Sequence, residues 1–264
     1  MSEITKARQL SDNTLNAILD HYPDLKEVTK EGDCYKKLFN QQKEEKGAMR
    51  LFHGEKIERL VYIGLDNTMQ MRHLPGNPEG RIDSHMIFAF TNKESAVPHF
   101  TLDSIYTMMP GMPAPVLAFH LDMIPRVDIG ARLGYMNAVY GGSVSEAQAE
   151  AKKNEGFTPA ALNSFQLGVM SPWMMASRAT PEAFDTIPSQ VYLERWFKLV
   201  DEGIPADALD GLTGADFADR DKRNRAVLFS KEVDPVWEQI ERVIGADVGE
   251  FQREWLQRQD ASQD

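Results

Sequence analysis

Apolar residues recur along the chain in two rhythms, and the change from one to the other divides it. In the first fifty residues Leu15, Ile18 and Leu19 stand at helical spacing behind Ser11 and Asn13, both capping residue types. The surrounding Lys, Glu, Gln and Leu predict two helices, with Gly32 and Asp33 between them. From Lys56 to Asp122 the rhythm shortens to apolar runs: Leu60 to Leu65, His85 to Phe90, Phe100 to Met108 and Val116 to Leu121. Asn77-Pro78-Glu79-Gly80 and Pro110-Gly111-Met112-Pro113 supply turn chemistry between them. Connections this tight predict an antiparallel meander, because parallel strands need crossovers of about a dozen residues.

After Asp122 the longer rhythm returns. Ser145, Thr158 and Asp234 are expected to cap helices, with Pro159 and Pro235 at first-turn positions. Between Pro188 and Glu202, Tyr192, Trp196, Leu199 and Val200 share one face, and Gly203 is placed to end the helix. Strands first and helices later predict an α+β fold, a three-layer α/β/α sandwich with a central antiparallel sheet flanked by helices.

Neither a Pro/Gly/Ser linker nor an internal repeat interrupts the 264 residues, so one domain over residues 1–264 is expected. A hydrophobic share of 42 % is incompatible with disorder. The lone Cys34 rules out an internal disulfide framework and any multi-cysteine zinc or iron–sulfur site. Lys and Arg number 29 against 40 acidic residues, and a net charge of −11 argues against general nucleic-acid binding. The N-terminus lacks the apolar core of a signal peptide, and no stretch of about 18 apolar residues occurs. A cytoplasmic protein without membrane contact is the expectation.

Dinucleotide, Walker, nucleophile-elbow and zincin motifs are absent, and Gly141-Gly142-Ser143 is too short to be a phosphate cradle. The histidines are His21, His53, His73, His85, His99 and His120. His120 and Asp122 share a strand face, but no third ligand accompanies them; they are read as structural, and no metal is expected. Pro98-His99-Phe100-Thr101-Leu102-Asp103 sets a carboxylate in an apolar strand soon after His85. Paired in register, Asp103 and His85 form a proton relay; otherwise Asp103 faces water on an edge strand and His85 is a core histidine. Of 13 methionines, eight lie between Met108 and Met175, suited equally to a pocket for a large flat ligand or to an ordinary core. Arg220-Asp221-Lys222-Arg223-Asn224-Arg225 gathers four cations around one carboxylate, either a grip for ligand carboxylates or an acidic partner, or a solvated helix face.

Taken together, these segments resemble the ferredoxin-dependent bilin reductases and the related red chlorophyll catabolite reductases, from about His85 to Gly245. Pro98-x-Phe100-x-x-Asp103 is similar to the family's Pro-x-Phe-Gly-x-Asp strand, whose Asp is the central proton donor. His85 stands one residue farther back than the histidine that partners this Asp in the phycocyanobilin-forming members, an offset that a single loop insertion would absorb. Leu121-Asp122-Met123-Ile124-Pro125 resembles a structural Asp-Leu-x-Pro. Asp221-Lys222, followed by Arg225, Phe229 and a helix from Val236, resembles the stretch that holds a second acid and a propionate-binding lysine. Met170-Ser171-Pro172 to Arg178 resembles a strand segment ending in another propionate-binding arginine.

The resemblance implies reduction of a linear tetrapyrrole such as biliverdin, with no bound flavin, nicotinamide or metal. Reduced ferredoxin is the implied partner and external electron donor. Asp103, His85 and Asp221 would be the catalytic residues, with Lys222, Arg178, Met170 and Phe100 binding substrate. A strand carboxylate of the phycocyanobilin-forming members has no counterpart in Tyr62-Ile63-Gly64-Leu65. This keeps open a tetrapyrrole carrier, or a reductase of another conjugated substrate.

Overall fold

The computed structural model describes residues 3–40, 42–70, 75–76 and 78–259; His73 and Asn77 lie outside them. In chain order the elements are α1 (Lys6–His21), β1 (Lys26–Glu27), β2 (Lys36–Phe39), β3 (Glu45–His53), β4 (Ile57–Gln70), β5 (Glu79–Thr91), β6 (His99–Met108) and β7 (Val116–Ile124). Then follow α2 (Leu133–Tyr140), α3 (Ser143–Ala151), β8 (Phe157–Pro159), α4 (Ser164–Val169), β9 (Met175–Ala179), α5 (Pro181–Phe184) and α6 (Ser189–Glu202). Helices α7 (Gly214–Leu228), α8 (Val236–Ile244) and α9 (Ala246–Gln257) complete the series.

The strands form one antiparallel sheet in the order β1-β3-β4-β5-β6-β7-β9-β8, with β2 also on β3. Its centre is the predicted meander. Side chains alternate across a strand, so each strand feeds two cores. One face, with Leu60, Ile87, Phe100, Leu102, Phe119 and Leu121, packs on α1, α2, α3 and α6. The other, with Val61, Ile63, Phe88 and Phe90, packs on Phe229 after α7 and on Trp237, Ile244 and Trp255 from α8 and α9. The architecture is therefore the expected α+β sandwich with helices on both sides of the sheet.

Five local expectations are corrected. The first fifty residues hold one helix; the second is replaced by β1, β2 and the start of β3. In these strands Leu38, Met49 and Leu51 are buried while Lys37, Phe39 and Arg50 are less so, a period of two that suits a sheet edge. The cap of α1 is Thr5, which accepts from Arg8 N at 3.1 Å, and Ser11 and Asn13 lie inside the helix. Thr158 and Pro159 belong to β8 rather than a helix start; on this outermost strand the missing proline N–H costs the ladder nothing. Ser145 falls within α3 and donates to the Tyr140 carbonyl. Pro235 rather than Asp234 holds the cap position of α8; Asp234, one residue earlier, accepts from Val236 N at 3.0 Å. Gly203, at φ +80°, ends α6 as expected.

Candidate functional site

Register decides which polar groups meet. His85 lies opposite Ser104 and Met86 opposite Asp103, so His85 and Asp103 point to opposite faces of the sheet. The proton relay expected between them does not form. No loop insertion absorbs the one-residue offset; the position across from Asp103 is occupied by Met86. Phe100, two registers from Leu102 on the α1/α6 face, is buried beside Trp196 with ring centroids 5.7 Å apart, on the far side of the sheet from Asp103.

On its own face His85 joins another chain of bonds. Its Nε2 is 2.7 Å from Asp83 Oδ1 and its Nδ1 is 2.8 Å from the Tyr62 hydroxyl, which donates to Asp12 on α1 at 2.9 Å. Thr5 Oγ1 donates to the other Asp83 oxygen at 2.6 Å. Ser11 and Ser104 hydroxyls meet at 2.8 Å, and Ser104 donates to the Ala7 carbonyl. These bonds fasten α1 to the sheet. Gly64 leaves the necessary room, since a Cβ there would lie 3.2 Å from His85 Nδ1.

The true neighbour of Asp103 is His120, directly opposite on β7, with Nδ1 3.6 Å from Asp103 Oδ2. Their side chains keep 26 % and 18 % of their surface exposed. Burial pulls the His120 imidazole towards neutrality, but the carboxylate of Asp103, with Asp122 and Asp234 beyond it, carries its pKa above the ordinary value. Asp103 Oδ1, His120 Nε2 and Thr101 Oγ1 are buried with no hydrogen-bond partner. Burial also raises Asp234, with Asp103 adding to the effect. Asp122 serves the frame: its two oxygens accept from Ser171 Oγ and N, fixing the segment after α4 over β7.

Around this pair the sheet is half-buried rather than sealed. Met86, Ile105, Ala118 and Ala176 share the face and are partly exposed, in contrast to the buried Phe88 and Phe90 farther along. Arg178 lies opposite Ala118 on the same face, exposed and without an ion pair or side-chain hydrogen bond among the described residues. Met170, half-buried, directly precedes Ser171. A flat apolar shelf with an acid–imidazole pair, and with the Arg178 cation at its margin, can hold a large conjugated molecule and move protons to it.

Asp221 is placed elsewhere. It is buried at the interface of α7 with β6, where Oδ1 accepts from His99 Nε2 at 2.6 Å and Oδ2 from Arg225 Nε and Gln259 Nε2, each at 2.9 Å. Arg126 Nε is 3.8 Å away. Burial would raise its pKa, but His99, Arg225 and Arg126 hold it far below the usual carboxylate range. His99 Nδ1 accepts from Thr91 N, which leaves the ring proton on Nε2; burial and Arg126 push its pKa down to about 3. Arg59 and Arg225 both donate to the Arg258 carbonyl, bringing the segment after α9 into the network. Lys222, the next residue, is exposed on α7.

Of the residues singled out from sequence, the structure thus puts Asp103 and Arg178 on one face of the sheet and His85 and Phe100 on the other, while Met170 lies off the sheet between α4 and β9. The partner that sequence reasoning misses is His120. The spacing of His120 and Asp122 on one strand face is its visible trace. No group of three or more His, Cys, Asp or Glu among the described residues is arranged to hold a metal ion, and no helix among them is long and apolar enough to cross a membrane.

No family model and no curated protein matches the sequence. The sheet with its two helical layers nevertheless has a counterpart of known structure. Among solved structures it is shared with phytochromobilin synthase from tomato, solved in complex with biliverdin. The TM-score is 0.68 at 18 % identity, over 95 % of this chain and 82 % of that one. At this identity the likeness is one of fold.

Proposed function

We propose that the protein binds a linear tetrapyrrole of the biliverdin type on the half-buried shelf of the α7–α9 face and reduces it with electrons delivered singly by ferredoxin. Each double bond reduced takes up two electrons and two protons, and two ferredoxins are oxidised in turn. Asp103 and His120 supply protons to the ligand, and solvent restores them. The observation that carries this reading is the Asp103–His120 pair, partly exposed, with Asp103 Oδ1 and His120 Nε2 buried and unpartnered on the shelf. The shared fold with a protein solved in complex with biliverdin, and the motifs around Asp103, support the substrate class.

In this reading Arg178 anchors one ligand carboxylate and Met170 packs on the conjugated system, as a soft thioether does. Lys222 is the proposed second anchor and is exposed for it. Asp221 and His85 stabilise the fold, through the α7 network and the α1 clasp. Phe100 supports the sheet from behind.

The test is to add biliverdin to the purified protein and record the visible spectrum, then add reduced ferredoxin without oxygen. A shifted bound spectrum that evolves to a new pigment is expected. Binding without that evolution replaces the reading with a tetrapyrrole carrier, and absence of binding removes the substrate class.

A further inference from the structure

Beyond the end of β7 lies a cleft of about 490 Å3 between the loop that carries Arg126 and Arg132, Val169 at the end of α4, and the face of α7 with Arg220 and Val227. Its walls are largely apolar, and its size is that of a small-molecule site. The carboxylates at its rim are already engaged by neighbours. Asp128 accepts from Gly130 N at 3.2 Å, Asp216 caps α7 by accepting from Thr213 N and Oγ1 at 2.8 Å each, and Asp219 pairs with Arg223 at 2.5 Å.

The guanidinium groups are not so satisfied. Arg132 makes no side-chain hydrogen bond or ion pair among the described residues, and its Nε is buried without an acceptor. Arg220 donates to the Pro125 carbonyl and has no carboxylate within ion-pair distance among the described residues; burial pulls its pKa below the ordinary value. Arg126, by contrast, is engaged: it donates to Thr91 Oγ1 and to the Asn92 and Lys93 carbonyls, and its Nε lies 3.8 Å from Asp221. In a chain with 40 acidic residues, an apolar cleft in which Arg132 and Arg220 have no ion-pair partner among the described residues is arranged to receive a charge from outside.

We infer that this cleft is a binding site for an organic anion, a carboxylate or sulfonate on an apolar body, held by Arg132 and Arg220. The forked guanidinium donors grip the anionic head while the apolar walls take the body. The inference stands apart from the bilin reading, because neither Asp103 nor His120 lines the cleft.

Anilinonaphthalene sulfonate, which fluoresces when its rings leave water, is a direct probe, and N-phenylnaphthylamine is its uncharged analogue. The sulfonate should bind the wild-type protein and lose about tenfold in affinity when Arg132→Gln and Arg220→Gln are combined, as expected for a partly buried charged contact. The uncharged analogue should bind both proteins alike. Arg132→Lys with Arg220→Lys, which keeps the charge, should retain sulfonate binding within about threefold. Unchanged sulfonate affinity in the Gln variant overturns the inference, and so does an equal loss of both probes.

Discussion

Replacing Asp221 by Asn separates two roles for this residue, proton donor and structural counter-charge. At neutral pH the carboxylate is ionised, because Arg225, Arg126 and the N–H of His99 surround it, and the neighbouring imidazole is neutral with its one proton turned towards Asp221. No proton is available there to give away. The side-chain amide introduced by Asp221→Asn would keep one acceptor but turn an NH2 towards donors, leaving Arg225 and Arg126 buried without an anion. Breaking a buried pair in this way costs about 3–5 kcal/mol. For a chain of this size that corresponds to a fall in Tm of about 6–20 °C. Thermal and urea unfolding followed by circular dichroism measure it. Asp221→Asn should be much less stable, yet at temperatures where it is folded it should bind biliverdin and turn it over at near the wild-type rate. A variant as stable as wild type with turnover abolished would refute the reasoning and return Asp221 to the proton chain.

Three further outcomes follow from the same geometry. Asp103→Asn and His120→Gln should each bind biliverdin but slow single-turnover reduction by about 10²–10⁴-fold, the range for a lost general acid; wild-type rates would remove the pair. Tyr62→Phe cuts the link from His85 to Asp12 and should cost about 1–3 kcal/mol in urea unfolding while leaving bilin reduction intact, whereas a slowed reaction would draw the α1 face into the chemistry. The depressed pKa of His99 means that its contribution to stability is complete above its ordinary value of 6.5 and is lost as pH falls towards about 3. Depressed Asp221 loses its own contribution at still lower pH, and raised His120 has the opposite sign, losing its contribution as pH climbs through its elevated value. The urea midpoint should therefore decline from about pH 6.5 downward, at up to about 1.4 kcal/mol per pH unit, and a level profile there would contradict the buried neutral imidazole.

The meander from β4 to β7 is legible in the sequence because its runs are apolar on both faces and bounded by turn residues. Register is not. A change of one residue in the β5–β6 pairing moves every side chain to the other face, and the loop from Asn92 to Pro98 gives no hint of which alignment holds. Hence local pattern pairs His85 with Asp103, whereas Met86 stands in that place and His120 approaches from the next strand. The missed strands at the start of the chain are rich in Lys and Glu because their edge position leaves one side wet, which imitates a polar helix in composition. Asp103 and Arg178 share a face of the sheet, a consequence of the β6–β7 and β7–β9 registers that their motifs do not carry. The network around Asp221 joins His99 to a helix 122 positions later and could not be read from local pattern.

Arg258 and Gln259, just beyond α9, are a stopper in this network. The Arg258 carbonyl receives N–H groups from Arg59 and Arg225, and the Gln259 amide donates to the Asp221 carboxylate and the Ala218 carbonyl. Loss of these two residues would therefore uncork the buried charges of the sandwich, and hydrogen exchange at their backbone amides would report how often that stopper lifts.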